Sequence, residues 1–329
     1  MTRTAQFLLM MVMACVLACT ASAAPEVSNP EEAKADPDFA VQGEYTGQGV
    51  LPGIDQGKIA AQVVARGDGK FEIYVLGGGL PGEGWKRDDP RLRTDARREG
   101  DAITISGGDL VGKIAGGKMT LSDKDGKQKA ELKRTERASS TLEAKPPAGA
   151  VVLFDGENLD YFPGAHMSDD KNLVAGTLSK AEFNGYKLHL EFRLSWMPTA
   201  GGQGRSNSGV YIHNCYEVQV LDSFGLEGRN NECGGLYSIK EPDVNMCLPP
   251  LVWQTYDVDF TAPKYDGQGN KVANGRMTIR HNGVVIHDDL ELPRSNPGGQ
   301  SEGPGPRGIQ LQGHGCHVQY RNLWLEKKD

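Results

Sequence analysis

The stretch Asn207–Gly225, NSGVYIHNCYEVQVLDSFG, decides how the chain folds. In its second half Tyr216, Val218 and Val220 alternate with Glu217 and Gln219, the two-residue period of a β-strand with one apolar and one polar face. A carboxylate and an amide are thereby displayed side by side, roughly 6–7 Å apart by strand rise. Alternation alone describes a face that meets water just as well, so the flanking sequence has to decide between a surface and a site.

Working outward, the same period recurs. Val151–Gly156 reads as a strand running into a turn, and Tyr186, Leu188, Leu190, Phe192 and Leu194 alternate with Lys187, His189, Glu191 and Arg193. Further strands are expected at 254–260, 276–280, 308–312 and 318–325, with His281-Asn282-Gly283 as a hairpin turn before 284–287. Many half-buried strands joined by loops predict two sheets packed face to face over 151–329. Upstream, short β patterns recur between Phe39 and Arg134, punctuated by Asp68-Gly69 and Asp125-Gly126, which predicts a small antiparallel accessory β domain over 38–135. Its Gly77–Gly82 run lacks the lysine ending and following helix of a phosphate cradle and reads as a loop. Residues 136–150, rich in small, charged and proline residues, read as a linker, and 24–37 as a flexible leader. The fold class is therefore all-β, in two domains.

Residues 1–23 combine Arg3, the apolar run Phe7–Leu17 and Ala21-Ser22-Ala23, the pattern of a cleaved signal peptide, and predict an exported protein, periplasmic or secreted. Val16-Leu17-Ala18-Cys19 also resembles a bacterial lipoprotein box, through which Cys19 would carry a lipid anchor, the one membrane attachment expected. A formal net charge of −7 without a long cationic run excludes the electrostatic footprint of a nucleic-acid binder. Cys215, Cys233, Cys247 and Cys316 match no zinc spacing. In an exported protein they are expected to be disulfide staples, with three pairings open.

Eight phrases occur in one order: Leu153–Gly156, Leu190–Arg193, Asn207–Gly209, Tyr216–Asp222, Trp253–Asp257, His281–Gly283 with His287, Leu311–Gly315 and Arg321–Trp324. Together they resemble the 3-keto-disaccharide hydrolase domain family over about residues 149–327. The resemblance implies a concanavalin A-like jelly roll and an enzyme acting on glycosides or oligosaccharides already oxidised at C3. Gly313 departs from the family pattern, which has Asp before His-Gly.

The residues permit a mechanism for that substrate. A C3 ketone acidifies the C2 hydrogen, so a base can remove it and release the C1 substituent, after which water adds. Glu217 is the candidate base, and Gln219 would orient a sugar hydroxyl on the ring that both could touch. His314 or His287 would protonate the leaving oxygen, since histidine titrates near neutral pH. Lys240, Arg193 or a metal would stabilise the enolate, and Asp222 and Gln312 complete the candidate substrate contacts. Each has a plainer reading: His287 as a strand end, Lys240 as a surface lysine, Glu191 and Arg193 as an ion-pair face, Asp222 as a turn residue, and His281 as a solvent-facing turn residue. Trp253 and Trp324 are expected in the core rather than as sugar platforms. No cofactor and no metal ligands are predicted. Asp266–Asn270 lacks calcium-loop spacing and reads as a turn, while a bound divalent cation is left open. The alternatives are a non-catalytic carbohydrate-binding module, a surface protein that only docks partners, and an ordinary glycosidase. The last would want two carboxylates about 5–5.5 Å apart.

Overall fold

The computed structural model describes residues 25–51, 53–107 and 110–328. The signal segment, Cys19 and Ala24 lie outside them. Among the described residues no helix is long and apolar enough to cross a membrane.

Eight strands come first: β1 (Gly43–Leu51), β2 (Ile54–Ala65), β3 (Lys70–Gly77), β4 (Arg91–Glu99), β5 (Ala102–Gly107), β6 (Leu110–Ala115), β7 (Lys118–Ser122) and β8 (Gln128–Thr135). Each pairs antiparallel with the next, and β8 returns to β1, so the expected small antiparallel domain is a closed barrel. Closure removes the unpaired edges that an open sheet exposes. Alternating side chains such as Ile59, Val63, Phe71, Ile73, Ile105, Met119 and Leu132 form its core. Strand β4 carries no apolar alternation in its sequence, RLRTDARRE. It is a strand because Thr94 and Ala96 face inward while Arg93 pairs outward with Glu72 at 2.7 Å, and Arg98, on the inward side at the strand's end, pairs with buried Asp38 at 2.8 Å.

Thirteen further strands follow: β9 (Val151–Phe154), β10 (Leu173–Val174), β11 (Thr177–Leu178), β12 (Tyr186–Arg193), β13 (Asn207–Ile212), β14 (Tyr216–Leu221), β15 (Trp253–Thr261), β16 (Lys264–Tyr265), β17 (Lys271–Ala273), β18 (Gly275–His281), β19 (Val284–Leu292), β20 (Gln310–Leu311) and β21 (Gln319–Lys327). One sheet runs β10-β21-β12-β15-β18-β19 with β9 on β21, and a four-stranded sheet runs β11-β20-β13-β14; β16 and β17 form a small ribbon. Tyr186, Leu190 and Phe192 from the first sheet and Val210, Val218 and Val220 from the second share one core, the expected sandwich. The β18–β19 hairpin turns on Asn282 and Gly283, whose φ of 52° and 83° supply the left-handed conformation the tight turn requires.

The barrel and sandwich are fused. Val64 and Tyr74 of the barrel belong to the sandwich core, and the Arg87 guanidinium donates to Gly228 O at 2.9 Å and Pro242 O at 2.5 Å. The segment expected to be a flexible leader is fastened down. Asn29 caps the short helix α1 (Pro30–Ala33), Val27 bridges to Trp196, and Ser195 Oγ donates to Glu26 at 2.5 Å. The expected linker is likewise a strap across the outer face of the larger sheet. Ser139 Oγ lies 2.6 Å from Thr255 Oγ1, Thr141 Oγ1 donates to Asp257 at 2.6 Å, and the Glu143 amide donates to buried Glu191 at 2.5 Å. Composition hid both attachments, because each depends on polar partners more than 45 residues away.

The four cysteines are free thiols, contrary to the expected staples. Cys215 contacts Ser301 O and the Arg307 guanidinium, Cys316 contacts Arg205 O, and Cys233 sits 3.2 Å from Tyr256 Oη deep in the core.

Candidate active site

The polar face of β14 does not meet water. Glu217 is 3 % exposed and Gln219 2 % exposed, because loops 234–238 and 296–299 fold over them. Asn296 fastens that roof: its Oδ1 accepts from the Glu217 amide at 2.8 Å, and its Nδ2 donates to Tyr237 O. What remains open is a cavity of about 260 Å³ lined by Gln203, Asn207, Tyr211, Glu217, Gln219, Tyr237, Pro297, Gly298, Gln312 and His314. This lies just below the roughly 300 Å³ at which drug-sized pockets begin, a size for one ring.

The hairpin of β13 and β14 sets the arrangement. A three-residue turn with positive φ at His213 and Asn214 pairs Tyr211 with Glu217 and Gly209 with Gln219 on one face. Tyr211 Oη donates to Glu217 Oε2 at 2.9 Å, and Gln312 Nε2 donates to Tyr211 Oη at 3.3 Å. Hydrogen bonding favours the Gln219 amide with its nitrogen toward Glu217, where it reaches Oε1 at 3.0 Å and Ser208 O at 3.2 Å. The carboxylate lies over Gly209, where a β-carbon would stand 2.4 Å from Oε1. Burial pushes the Glu217 carboxyl up to about 7, against the lowering effect of the Tyr211 hydrogen bond. A carboxylate in that range serves as a base near neutral pH.

Four of the sequence candidates converge here: Glu217, Gln219, Gln312 and His314, the last exposed at the rim. The other four do not line the cavity. His287 is fully buried, with Nε2 2.8 Å from Gly234 O, and burial holds its pKa down at about 4. Asp222 forms a buried ion pair with Arg205, 2.5 Å at its closest, and its Oδ1 accepts from the Phe224 amide, the turn role. Arg193 points to the outer face of the larger sheet, bonded to Gln319 at 2.6 Å and stacked over Trp253. Lys240 pairs at the surface with Asp243 at 2.7 Å. Among the described residues no lysine or arginine lines the cavity, so the cationic enolate partner expected from Lys240 or Arg193 is not in place. The sequence reading missed Tyr211, Asn207 and Gln203. Counting the odd-numbered turn His213–Cys215 would have placed Tyr211 opposite Glu217.

Three other expectations change. His281 is buried, its Nε2 3.0 Å from Gln254, because the hairpin packs inward. Trp253 and Trp324 lie on the outer face of the larger sheet, Trp324 stacked on His189 at 5.0 Å and bonded to Ala144 O of the strap. Gly313 packs against Gly176, whose Cα would lie 3.0 Å from an added β-carbon, so a longer residue there requires the loops to separate. A larger cavity of about 800 Å³ lies beside Trp196 and α1, but its Asp36 and Asp38 are already bonded to Trp196 Nε1 and Arg98. No group of three or more metal-ligating side chains occurs among the described residues.

Comparison with solved structures finds a candidate glycosyl hydrolase from Parabacteroides distasonis, 27 % identical with a TM-score of 0.50, covering 55 % of this chain and 85 % of that one. A second candidate glycosyl hydrolase from the same organism is 17 % identical with a TM-score of 0.40, covering 59 % and 100 %. No curated protein matches. The model of the 3-keto-alpha-glucoside-1,2-lyase-like domain matches residues 149–326, more than half of the chain and the whole of the sandwich that carries Glu217. The chain therefore belongs to the 3-keto-alpha-glucoside-1,2-lyase-like domain family.

Proposed function

We propose that this protein is an exported carbohydrate hydrolase that cleaves glycosides carrying a ketone at C3. The observation that carries this reading is that, among the described residues, Glu217 is the sole carboxylate lining the cavity, with a pKa raised to about 7. An ordinary glycosidase divides its work between two carboxylates. One base near neutrality suits removal of a proton from carbon, and C2 beside a C3 ketone is the sugar carbon acidic enough to lose one.

In this account Glu217 takes the C2 proton, the C1–O bond breaks, and water adds to the resulting double bond. Gln219, Asn207 and Gln203, three carboxamides on one wall, orient the sugar hydroxyls. His314, at the open rim, contacts the aglycone side. The family match and the candidate glycosyl hydrolase that resembles the chain support a sugar substrate. The signal-like residues 1–23 support export, and Cys19 would add a lipid anchor if the lipoprotein box is used.

The test compares sugar release from a 3-keto-glucoside and from its unoxidised parent by the purified protein and by Glu217→Gln. Turnover of the keto form alone, lost in the variant, is expected. Sugar binding without turnover of either substrate would instead indicate a binding module.

A further inference from the structure

The leaving oxygen still lacks a buried acid: His287 is bonded to Gly234 O outside the cavity, and His314 is exposed at the rim. The Tyr211 hydroxyl is better placed. It sits on β13 directly across from Glu217, and cross-strand partners hold their β-carbons about 4.5–5.5 Å apart. Three contacts fix it: donation to Glu217 Oε2 at 2.9 Å, Gln312 Nε2 at 3.3 Å, and Pro297 O at 3.5 Å. Gly298 closes over the same oxygen, where a β-carbon would lie only 2.7 Å away. Tyr211 lines the cavity beside the base, and burial together with the Glu217 charge keeps its proton on the phenol.

We propose, resting on the 3-keto reading, that Tyr211 is the general acid of the elimination and forms a closed proton relay with Glu217. Glu217 removes the C2 proton, the C1–O bond breaks, and its electron pair leaves with the aglycone oxygen. Tyr211 gives its proton to that oxygen, and the phenolate recovers a proton from the newly protonated Glu217 across their hydrogen bond. The pair ends as it began, with the proton moved from C2 to the aglycone. Hydration is the same exchange in reverse, with water in place of the aglycone. Base and acid on paired positions of neighbouring strands suit adjacent carbons of one ring.

The test varies the need for an acid. Methyl and 4-nitrophenyl 3-keto-glucosides are compared in wild type, Tyr211→Phe and His314→Ala, since nitrophenolate departs without a proton and methoxide does not. Tyr211→Phe is expected to lower kcat/KM on the methyl glycoside by about 10²–10⁴-fold and on the nitrophenyl glycoside by less than about tenfold. Equal loss on both substrates, no loss on either, or the leaving-group-dependent loss in His314→Ala would each overturn the acid role while leaving the 3-keto reading intact. Wild type inactive on both glycosides would overturn that reading itself. If Tyr211→Phe loses its thermal transition, Tyr211→3-fluorotyrosine keeps ring and hydroxyl and is expected to cleave the methyl glycoside; a folded, inactive protein would overturn the proposal.

Discussion

The carboxylate of Glu217 occupies the space that a side chain at Gly209 would take. The glycine on β13 and the base on β14 share a face and are offset by two residues in register, and an added β-carbon would lie 2.4 Å from Oε1 and 2.9 Å from Cγ. The Asn-Ser-Gly phrase is thus a statement about the site. Gly209→Ala is expected to keep the fold at a cost of about 1–3 kcal/mol. Displacing the base by about 1 Å should cost on the order of 10²-fold in kcat/KM. Near-normal turnover would show that the carboxylate need not sit there.

Burial of Glu217 also predicts a pH signature. The carboxyl must be ionised to act, so kcat/KM should rise with pH through about 7 and then level off. The profile is read from free enzyme and substrate, and a limb near 4.5 would mean another group is the base.

Stability should move the opposite way. Between about pH 4.5 and 7 the folded state holds a proton that the unfolded chain has lost, so the contribution of Glu217 falls as pH rises. Glu217→Gln removes that burden, which one pKa unit per 1.4 kcal/mol puts at roughly 3 kcal/mol above pH 7. Thermal denaturation at pH 5 and pH 8 checks this: the variant should gain over wild type only at the higher pH.

On the outer face, Glu191 accepts from Glu143 N, Arg321 Nε at 2.7 Å and Asn322 Nδ2 at 3.0 Å, and lies 3.6 Å from His189 Nε2. Burial alone would raise its pKa, but the hydrogen bonds from His189, Asn322, Glu143 and Arg321 outweigh it and hold the carboxyl at about 2. Its contribution is present above the unfolded value of about 4.5 and is lost as pH falls toward 2. Glu191→Ala at pH 7 should cost about 3–5 kcal/mol, the scale for breaking a buried ion network, and should open the strap at 136–150 to protease. An uncleaved strap in the folded variant would show that the side chain does not hold it.

The barrel contributes Val64 and Tyr74 to the sandwich core. Residues 149–329 expressed alone should therefore be less stable and less soluble than the whole chain, checked by melting temperature and by dye binding to exposed apolar surface.

Much of this molecule was legible because alternation reports which residues share a strand face: β12, β14 and β15 stand within a residue or two of where their apolar periods end. The pairing of Glu217 and Gln219 on one face was legible for the same reason. Strand β4 was not, since its arginines are satisfied by Glu72 and Asp38 from other segments. Nor were the positions of Arg193 and His287, since a strand's period says which residues share a face and not which face meets the cavity, nor those of Asp222 and Lys240, which lie in the loop between β14 and β15 where no period applies. Tyr211 was hidden for a different reason: its role depends on a hairpin register, and register rests on backbone conformation at His213 and Asn214.

The measurement that tests the central claim most directly is the isotope effect on cleavage of a 3-keto-glucoside deuterated at C2. Proton abstraction by Glu217 predicts a primary effect on kcat/KM in wild type at pH 8, together with release of the label to water. Cleavage at full rate with deuterium retained at C2 would contradict it, and would place bond breaking at C1 without the carbon acid that the site is argued to serve.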